Sequence, residues 1–322
     1  MAEREGGGVV LHMRVITPVD RTDAVRELLL AEPGATHVTV LPGVALQPAG
    51  DVLEADVTRE SVDVVLAELS RLGIDHTGGV TLEAIDTTLS DAADAAEEAA
   101  PGDPADAVIW DEVVARTGEE SRFSASFQIF LTIACLLGAI GAITNSSVTV
   151  VGAMVLGPEF GPLAAVAVGT VLRRRDLVRR GAFALGAGFP LAMLVTAIAS
   201  LLFEATGLLT SSSLDNLDQV DFIYEVGPFS FIVALLAGAA GMLALTSAKS
   251  ASLVGVFISV TTVPAAAFAS VALVEGRYAQ AAESALQLVI NLVGIVVAAV
   301  AVLLVSRRVV GRGRGLRGLS AG

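Results

Sequence analysis

The 322-residue chain is poor in the residues that build metal and redox centres. It contains one cysteine, Cys135, and three histidines, His12, His37 and His76. A single cysteine forms no internal disulfide, and this one lies in an apolar stretch, so we expect it to be a small packing residue. The histidines occur singly, without HxxxH or CxxC spacing, which favours surface or edge positions over a metal site. We therefore predict no metal and no cofactor.

The motifs of common enzymes and a basic surface for nucleic acid are also missing. No P-loop, no GxGxxG and no pairing of a nucleophile with a base is visible. Residues 1–120 hold 25 Asp and Glu against 7 Lys and Arg, whereas contacts to phosphates require clustered cations. We expect neither a nucleic-acid partner nor enzymatic activity.

The charges and the hydropathy divide the chain into two parts. The start, MAEREGGGVV, has no basic stretch followed by an apolar run, so we expect no cleaved signal peptide. Residues after 120 hold 9 acidic against 13 basic side chains, and the mean hydropathy of the chain is +0.73 with 54% hydrophobic residues. Such values are typical of a membrane protein. An acidic cytoplasmic domain followed by a membrane domain is the resulting prediction.

The acidic domain shows an alternation of strands and helices. Apolar and polar residues alternate over VVLHMRVIT, and a helical pattern follows in DRTDAVRELLLAEPG. Two strands, THVTVLP and DVLEADVT, a helix from about Arg59 to Leu72 and a strand, GVTLEAIDTTL, complete the order β-α-β-β-α-β. This order predicts an α+β, ferredoxin-like domain over residues 1–89, a fold that assigns no function by itself.

Residues 90–122 are predicted to connect the two domains. Ala, Asp and Glu dominate SDAADAAEEAAPGDPAD, which indicates an acidic linker with at most a weak helix. The next segment, AVIWDEVVARTGEE, has an apolar helical face and contains the only tryptophan, Trp110. An amphipathic helix on the membrane surface or against the soluble domain fits this pattern, and so does a simple connector helix.

Six apolar segments lie between residues 123 and 306, and each is close to the ~20 residues that cross a bilayer core. The second connection and the tail, residues 307–322, are rich in arginine, the fourth connection contains Lys249, and the third is acidic. By the positive-inside rule both termini lie in the cytoplasm, and we expect a multi-pass protein of the plasma membrane. The segments are Phe123–Ile143, Ser147–Leu172, Gly181–Phe203, Phe229–Leu245, Leu253–Val274 and Ala285–Val305.

The second of these segments is interrupted near its middle. TNSSVTVVGAMVLGPEFGP places Glu159 between two Gly-Pro steps, Gly157-Pro158 and Gly161-Pro162. Proline removes a backbone donor, and a carboxyl group inside a membrane must face protein or water, so the combination points to a functional site. Glu159 would act there as a proton carrier or as a ligand for a cation. A kinked packing helix, with Glu159 reaching a polar opening, is the alternative.

The two halves of the membrane domain are similar to each other. LLGAIGAITNSS leads into VTVVGAMVLGP in the first half, and LLAGAAGMLALTSAKS leads into ASLVGVFISVTTVP in the second. Each half contains a Val-Gly pair and then a proline, Pro158 or Pro264. Three segments per half is an odd number, so the copies would lie in opposite senses across the membrane. A 3+3 inverted repeat with broken second and fifth helices is the best sequence indication of a binding site at the midplane.

We predict that substrate- or ion-binding residues cluster around the two breaks. Asn291, alone in the apolar sixth segment, would be a ligand or an interhelical hydrogen-bonding residue. The two threonines before Pro264 either belong to the site or bond back to helix carbonyl groups freed by the proline. The full set of candidates is Asn145, Ser146, Gly157, Pro158, Glu159, Gly161, Pro162, Thr261, Thr262, Pro264 and Asn291.

Several motifs of the membrane half follow one another in an order that belongs to a known family. They are WDEVVARTGEES, the turn TNSS, VVGAMVLGPEFGPLAA, LTSAKSASLVGVFISVTTVPAAA and NLVGIVVA. Together they resemble the domain-of-unknown-function three-eighty-nine family of hydrophobic-domain integral membrane proteins. The resemblance covers residues 110–305 and implies a polytopic membrane protein without implying an activity.

The resemblance also bears on the break in the second segment. The family motif looks like GAMLISPLMGPI, and it is matched here by Gly152, Ala153, Met154, Pro158, Gly161 and Pro162. This chain departs from the motif at Glu159, where many relatives carry an apolar residue, and at Asn145, where an acidic residue is common. Either Glu159 has a role in one subgroup of the family, or a carboxylate has moved between the two positions.

Three classes of function remain open at this point. The leading hypothesis is a homo-oligomeric transporter or channel for a small solute or ion, regulated by the cytoplasmic domain, with membrane lipids as its surroundings. A membrane-anchored ligand sensor or oligomeric scaffold without transport is the alternative. An intramembrane enzyme is the third class, and it is disfavoured because the apolar segments contain no histidine and one cysteine. Small-xxx-small spacing such as Ala237 to Gly241 permits the close helix contacts of an oligomer.

Overall fold

The computed structural model describes residues 10–85, 87–100, 107–209, 228–247 and 262–320, with the side chains of these residues other than 228 and 308–320. The chain divides into two compact units. Met1–Asp111, Thr246–Lys249 and Val309–Gly322 form the first, and Glu112–Leu245 with Ser250–Arg308 form the second. The predicted domain boundaries at residues 89, 122 and 306 stay predictions.

The first unit contains a small four-stranded antiparallel sheet with helices, which confirms this part of the predicted fold. The sheet has the order β2-β3-β1-β4, and all neighbouring strands are antiparallel. The strands are β1 (Val10–Thr17), β2 (Ala35–Leu46), β3 (Ala49–Thr58) and β4 (Gly79–Ala84). The helices are a 3-10 turn (Val19–Arg21), α1 (Thr22–Ala31), α2 (Arg59–Arg71), α3 (Ile74–Thr77) and α4 (Asp91–Ala99).

One face of the sheet builds the core of this unit. Side chains alternate between the two faces of a strand, so every second residue of β1 and β3 packs against α1 and α2. Ile109 belongs to the same apolar cluster, and Arg59 Nε donates a hydrogen bond of 3.0 Å to the carbonyl oxygen of Ala107. The segment around residues 107–109 therefore packs on the sheet. The other main members of the cluster are Leu11, Met13, Val15, Val25, Leu29, Leu53, Ala55, Val57, Val62, Val65 and Leu69.

Two segments of the first unit differ from the sequence prediction. β2 continues to Leu46, beyond the end of the predicted strand THVTVLP. Register shifts let the strand pass Gly43, which has a φ of +68°. The predicted linker forms the nine-residue helix α4, whose N-terminus is capped by the Ser90 side chain. Ala93 and Ala96 of α4 are buried. Small alanine side chains thus dock a helix that its acidic composition alone did not predict.

The second unit is helical and contains several apolar helices. α5 begins at the boundary and continues into this unit, followed by helices of 10 to 43 residues. They are α5 (Trp110–Glu120), α6 (Ala125–Ile143), α7 (Ser147–Leu156), α8 (Phe160–Val171), α9 (Arg175–Ala205), α10 (Pro228–Thr246), α11 (Val263–Val274) and α12 (Tyr278–Ser320).

Four of the described helices, α6, α9, α10 and α12, are long and apolar enough to cross a membrane. α7 and α8 together make a fifth such element, bent by 51° at a short break. This number and the apolar composition indicate a membrane-embedded protein. The predicted fifth segment is described only over α11, because residues 248–261 lie outside the described residues, so the six-helix arrangement stays a prediction.

α11 is the most enclosed helix of the second unit. Its residues from Val263 to Ala272 are all buried, so it is apolar on every side and surrounded by protein. Twelve residues make a helix of about 18 Å, shorter than the ~30 Å core of a bilayer. α11 is therefore an interior element, as α8 is, which has the same length and nine buried residues.

The helices recur at one constant spacing along the chain. α10 starts and ends 103 residues after α6, α11 starts and ends 103 residues after α8, and α12 starts 103 residues after α9. The turns after α8 and α11 also agree: Arg173 and Gly276 have positive φ values, and the amides of Arg174 and Arg277 donate to carbonyl groups five residues back.

Candidate functional site

The break between α7 and α8 follows from its sequence. The residue before a proline avoids the helical region, and Gly157 accordingly has a ψ of 121°. Pro158 has no N–H group to continue the hydrogen-bond ladder of α7. Helical hydrogen bonding resumes when the amide of Leu163 donates to the carbonyl oxygen of Glu159, which makes Glu159 the N-cap of α8. The bend places the Glu159 carboxyl group between two short helices instead of on the side of a long one.

Glu159 contacts a threonine from the second break. The Thr262 hydroxyl group donates a hydrogen bond of 2.5 Å to Glu159 Oε1, which lies at the short end of the range for oxygen donors and acceptors. Both side chains are fully buried. Thr262 is itself the N-cap of α11. The predicted site residues of the two breaks are thus brought together.

The contact places the N-terminal ends of α8 and α11 next to each other. The first N–H groups of a helix have no partner within the helix, and the peptide dipoles sum to a partial positive charge at this end. A carboxylate is therefore favoured where two such ends meet. Pro264 lies in the first turn of α11, where the missing N–H group of a proline has no cost.

α6 closes the site on a third side. Cys135 is buried in an apolar cluster with Ala153, Val263 and Ala265, and Val263 is the residue after Thr262. A Cβ atom added at Gly138 would lie 2.9 Å from Cβ of Ala267, so glycine allows the close approach of α6 to α11. Cys135 is a packing residue, as predicted, and it also borders the site.

The glycine and proline that follow Glu159 have packing functions. A Cβ atom added at Gly161 would lie 2.5 Å from Cβ of Glu120 and 2.9 Å from its carbonyl oxygen. Pro162 is buried, and its carbonyl oxygen would lie 2.4 Å from a Cβ atom at Gly181 of α9. These two positions hold α5 and α9 against the first turn of α8. They shape the site and place no polar side chain in it.

Asn291 is buried in α12 beside the same region. Leu288 packs in the cluster that contains Val263, and Ile295 packs with Leu163 of α8. Asn291 is three residues after Leu288 and four before Ile295, so all three share one helical face. That face is turned toward the first turns of α8 and α11. The structure thus places Asn291 on the helix face nearest the Glu159–Thr262 pair.

Asn145 and Ser146 lie at the other end of α7. Asn145 has a φ of +48° in the turn after α6, and the Ser146 hydroxyl group caps α7 by accepting from the amide of Thr149. The ten residues of α7 separate them from the break by about 15 Å. In this structure the two residues thus lie in a turn and at a helix cap. The remaining candidate, Thr261, lies outside the described residues.

A second polar cluster, in the first unit, was not predicted. His12 Nδ1 lies 2.9 Å from Asp56 Oδ1, and His37 Nδ1 lies 2.7 Å from Asp56 Oδ2. His37 Nε2 lies 2.8 Å from Ser90 Oγ, at the start of α4. The strand register that pairs His12 with Asp56 is a long-range property that spacing along the chain does not reveal. No group of three or more His, Cys, Asp or Glu that could hold a metal ion was found within the described ranges.

The comparisons with known proteins give one finding. Neither a curated protein nor a solved structure matches the chain. The family model described as a domain of unknown function (DUF389) matches residues 154–297, from α7 into α12. This range contains Glu159, Thr262 and Asn291, and it confirms the resemblance that the sequence motifs indicated. The match covers less than half of the chain and supports its membership of the DUF389 family.

Proposed function

We propose that the protein is a membrane transporter or channel for a small solute or ion, and that the Glu159–Thr262 pair marks its binding site. One observation carries the proposal: a buried carboxyl group lies where the N-terminal ends of α8 and α11 meet, inside a unit of apolar helices. Discontinuous helices with facing ends are how many transporters bind their substrates. Burying a carboxyl group in such a unit is costly and is rarely kept for packing alone.

We infer that the membrane unit is a 3+3 inverted repeat with six spans. The support is the constant spacing of 103 residues between α6 and α10, α8 and α11, and the starts of α9 and α12. At this spacing Glu159 corresponds to Thr262, and Pro264 corresponds to Gly161, next to Pro162. Pro264 is thus the counterpart of the second Gly-Pro step. This explains why Pro264 lies farther from its Val-Gly pair than Pro158 lies from its own.

The remaining parts of the proposal concern the surroundings of this unit. We infer that the sheet domain is ferredoxin-like, because its antiparallel order β2-β3-β1-β4 suits a βαββαβ chain. In this proposal it is a cytoplasmic regulatory domain, both termini are cytoplasmic, and homo-oligomers reside in the plasma membrane without enzymatic activity. The arginine-rich connection between α8 and α9 supports this orientation.

The experiment is ion and solute flux into liposomes that contain the purified protein. Separate gradients of K⁺, Na⁺, chloride and phosphate are imposed and read with a potential-sensitive or an ion-sensitive dye. We expect the wild type to dissipate at least one gradient. Glu159→Gln should reduce this flux about tenfold, which corresponds to roughly 1.4 kcal/mol of lost interaction. Glu204→Gln, at an exposed carboxyl group near the end of α9, is the matched control and should keep wild-type flux.

The alternative function, a ligand sensor or scaffold, has its own signature. It permits no flux of any solute, and a ligand that stabilises the protein would stabilise wild type and Glu159→Gln equally. Flux that is unchanged in Glu159→Gln would support a transporter whose binding site lies elsewhere than at the break between α7 and α8.

A further inference from the structure

Glu159 and Thr262 are each other's counterparts as well as partners. They are 103 residues apart, which is the spacing that relates the helices of the two halves. Thr262 donates the hydrogen bond that Glu159 accepts. In an inverted repeat, equivalent residues can contact each other only near the axis that relates the halves. In the inverted repeat proposed above, the pair therefore lies near the midplane of the membrane.

Few other titratable side chains surround Glu159. Cys135 faces it from α6, and Glu120, paired with Arg116, packs with its backbone and Cβ on the first turn of α8. α7, α10 and α11 contain no charged residue. Those of α9 and α12 lie toward the ends of these helices, at residues 175–180, 204, 283 and from 307 onward. Glu159 is thus the one carboxyl group at the centre of the described spans.

Resting on the transport function proposed above, we propose that the coupling ion is a proton, that Glu159 carries it, and that Thr262 is the positioning residue for the carboxyl group in the closed state. The proton adds to a carboxylate oxygen from one side of the membrane and leaves from the same oxygen toward the other. No other bond forms or breaks. The reaction requires one carboxylate and a change of its exposure, and the buried pair at the axis of the repeat supplies the carboxylate.

The surrounding backbone disfavours a metal cation at Glu159. The ends of α8 and α11 that meet at Glu159 are N-terminal, so they offer N–H groups and partial positive charge. A metal cation seeks oxygen ligands and is repelled by such ends. A proton neutralises the carboxylate and removes its attraction to the two helix ends. Protonation therefore weakens the contact that closes the site.

The test is the thermal unfolding of the full-length protein in detergent from mildly acidic to mildly alkaline pH. If Glu159 changes protonation, the difference in Tm between wild type and Glu159→Gln must vary with pH, by at least about 3 °C over the range. A constant difference overturns the proposal. So does a stabilisation by Na⁺ or K⁺ that occurs at fixed pH in the wild type and is lost in Glu159→Gln. Glu204→Gln should follow the wild type at every pH.

A second measurement uses Cys135, the only cysteine of the chain. Its rate of alkylation by maleimide is divided by the rate in Glu159→Gln at each pH below about 7, where the thiol is protonated in both proteins and its own titration cancels. A ratio that changes with pH reports the titration of Glu159. A flat ratio contradicts proton binding even where both proteins are folded.

The exchange of the two residues tests the positioning role. In the double variant Glu159→Thr with Thr262→Glu, the same hydrogen bond forms with donor and acceptor in opposite halves. We expect it to regain the pH-dependent Tm that Glu159→Thr alone loses. A double variant that behaves like Glu159→Thr contradicts the equivalence of the two positions.

The outcome is separable from that of the transport proposal. If flux is observed but the Tm difference between wild type and Glu159→Gln does not depend on pH, the protein transports a solute without coupling to a proton at Glu159. If the Tm difference depends on pH but no flux is observed, Glu159 binds a proton and the transport proposal is wrong.

Discussion

At the scale of single residues, the hydrogen bond from Thr262 to Glu159 is a buried polar contact between α8 and α11. Glu159 stood out because a carboxyl group beside two prolines is expensive in an apolar segment. Thr262 was one of several threonines and serines near the second break, and nothing local distinguished it. Its contact with Glu159 joins residues 103 positions apart. Such a pair is set by tertiary packing, which the order of residues does not encode locally.

Thr262→Val should destabilise the membrane unit. Valine keeps the shape of threonine but removes the donor to Glu159 Oε1, and the loss of a partner by a buried polar group costs ~1–3 kcal/mol. We expect a lower Tm in detergent. The control is Thr170→Val, because the Thr170 hydroxyl group is exposed and bonds only to its own helix, at the carbonyl oxygen of Val166. Equal midpoints for the two variants would contradict the importance of the pair.

We expect the stability of the sheet domain to fall when the Asp51 carboxylate is protonated at low pH. The Thr22 hydroxyl group and the amide of Gly43 donate to its carboxylate at 2.6 and 2.8 Å, and these bonds lower the pKa of Asp51 below its ordinary value of 3.8. A carboxyl group with a lowered folded pKa stabilises above its unfolded pKa, and this contribution is lost as pH falls through the folded pKa.

Asp51→Asn therefore should unfold more easily than the wild type at neutral pH and approach it below about pH 3. Denaturant unfolding at a series of pH values measures this. The matched control is Asp20→Asn, since Asp20 is exposed, and it should follow the wild type throughout. A gap between Asp51→Asn and wild type that does not narrow in acid would show that these two bonds do not set the pKa.

At the scale of elements, composition predicted the apolar helices and the break between α7 and α8. It did not predict α4 or the burial of α11 on all sides. Apolar length and a Gly-Pro step act locally, so α6, α9, α12 and the bend after α7 follow from the sequence. α4 depends on buried contacts of Ala93 and Ala96. The enclosure of α11 depends on neighbours on all its sides, which a hydrophobic run does not specify.

Glycine contacts between helices give a prediction at this scale. A Cβ atom at Gly238 of α10 would lie 2.4 Å from the carbonyl oxygen of Ile295 in α12, and backbone atoms cannot yield as a side chain can. Gly238→Ala should therefore cost ~1–3 kcal/mol through overpacking. Gly152→Ala is the control, since no atom lies within 4 Å of its added Cβ. Thermal unfolding in detergent compares them, and equal midpoints would mean that α10 and α12 are not this close.

The whole molecule consists of two units with separate cores. The core of the sheet domain draws on residues from Leu11 to Ile109. The segment around Ile109 thus belongs to the packing of the first unit.

A fragment of residues 1–111 should fold alone, and a fragment of residues 1–89 should be less stable by at least ~2 kcal/mol. The shorter fragment loses the burial of Ile109, worth ~1.5–3 kcal/mol, and the bond from Arg59 to Ala107. Urea unfolding followed by circular dichroism measures both. The variant Ile109→Ala in the longer fragment should account for most of the difference, and equal stability of the two fragments would contradict it.

The constant spacing between the halves restricts where this chain can change in length. One residue inserted within α8 or α11 rotates the rest of that helix by about 100° around its axis. The helix would then no longer match its counterpart in the other half. Insertions are compatible with the paired architecture where they fall between the halves, in the stretch from Ala205 to Pro228, or before α5. Fluorescent domains and affinity tags for single-molecule work belong at those two places, and deletion scanning should find them the most permissive parts of the protein.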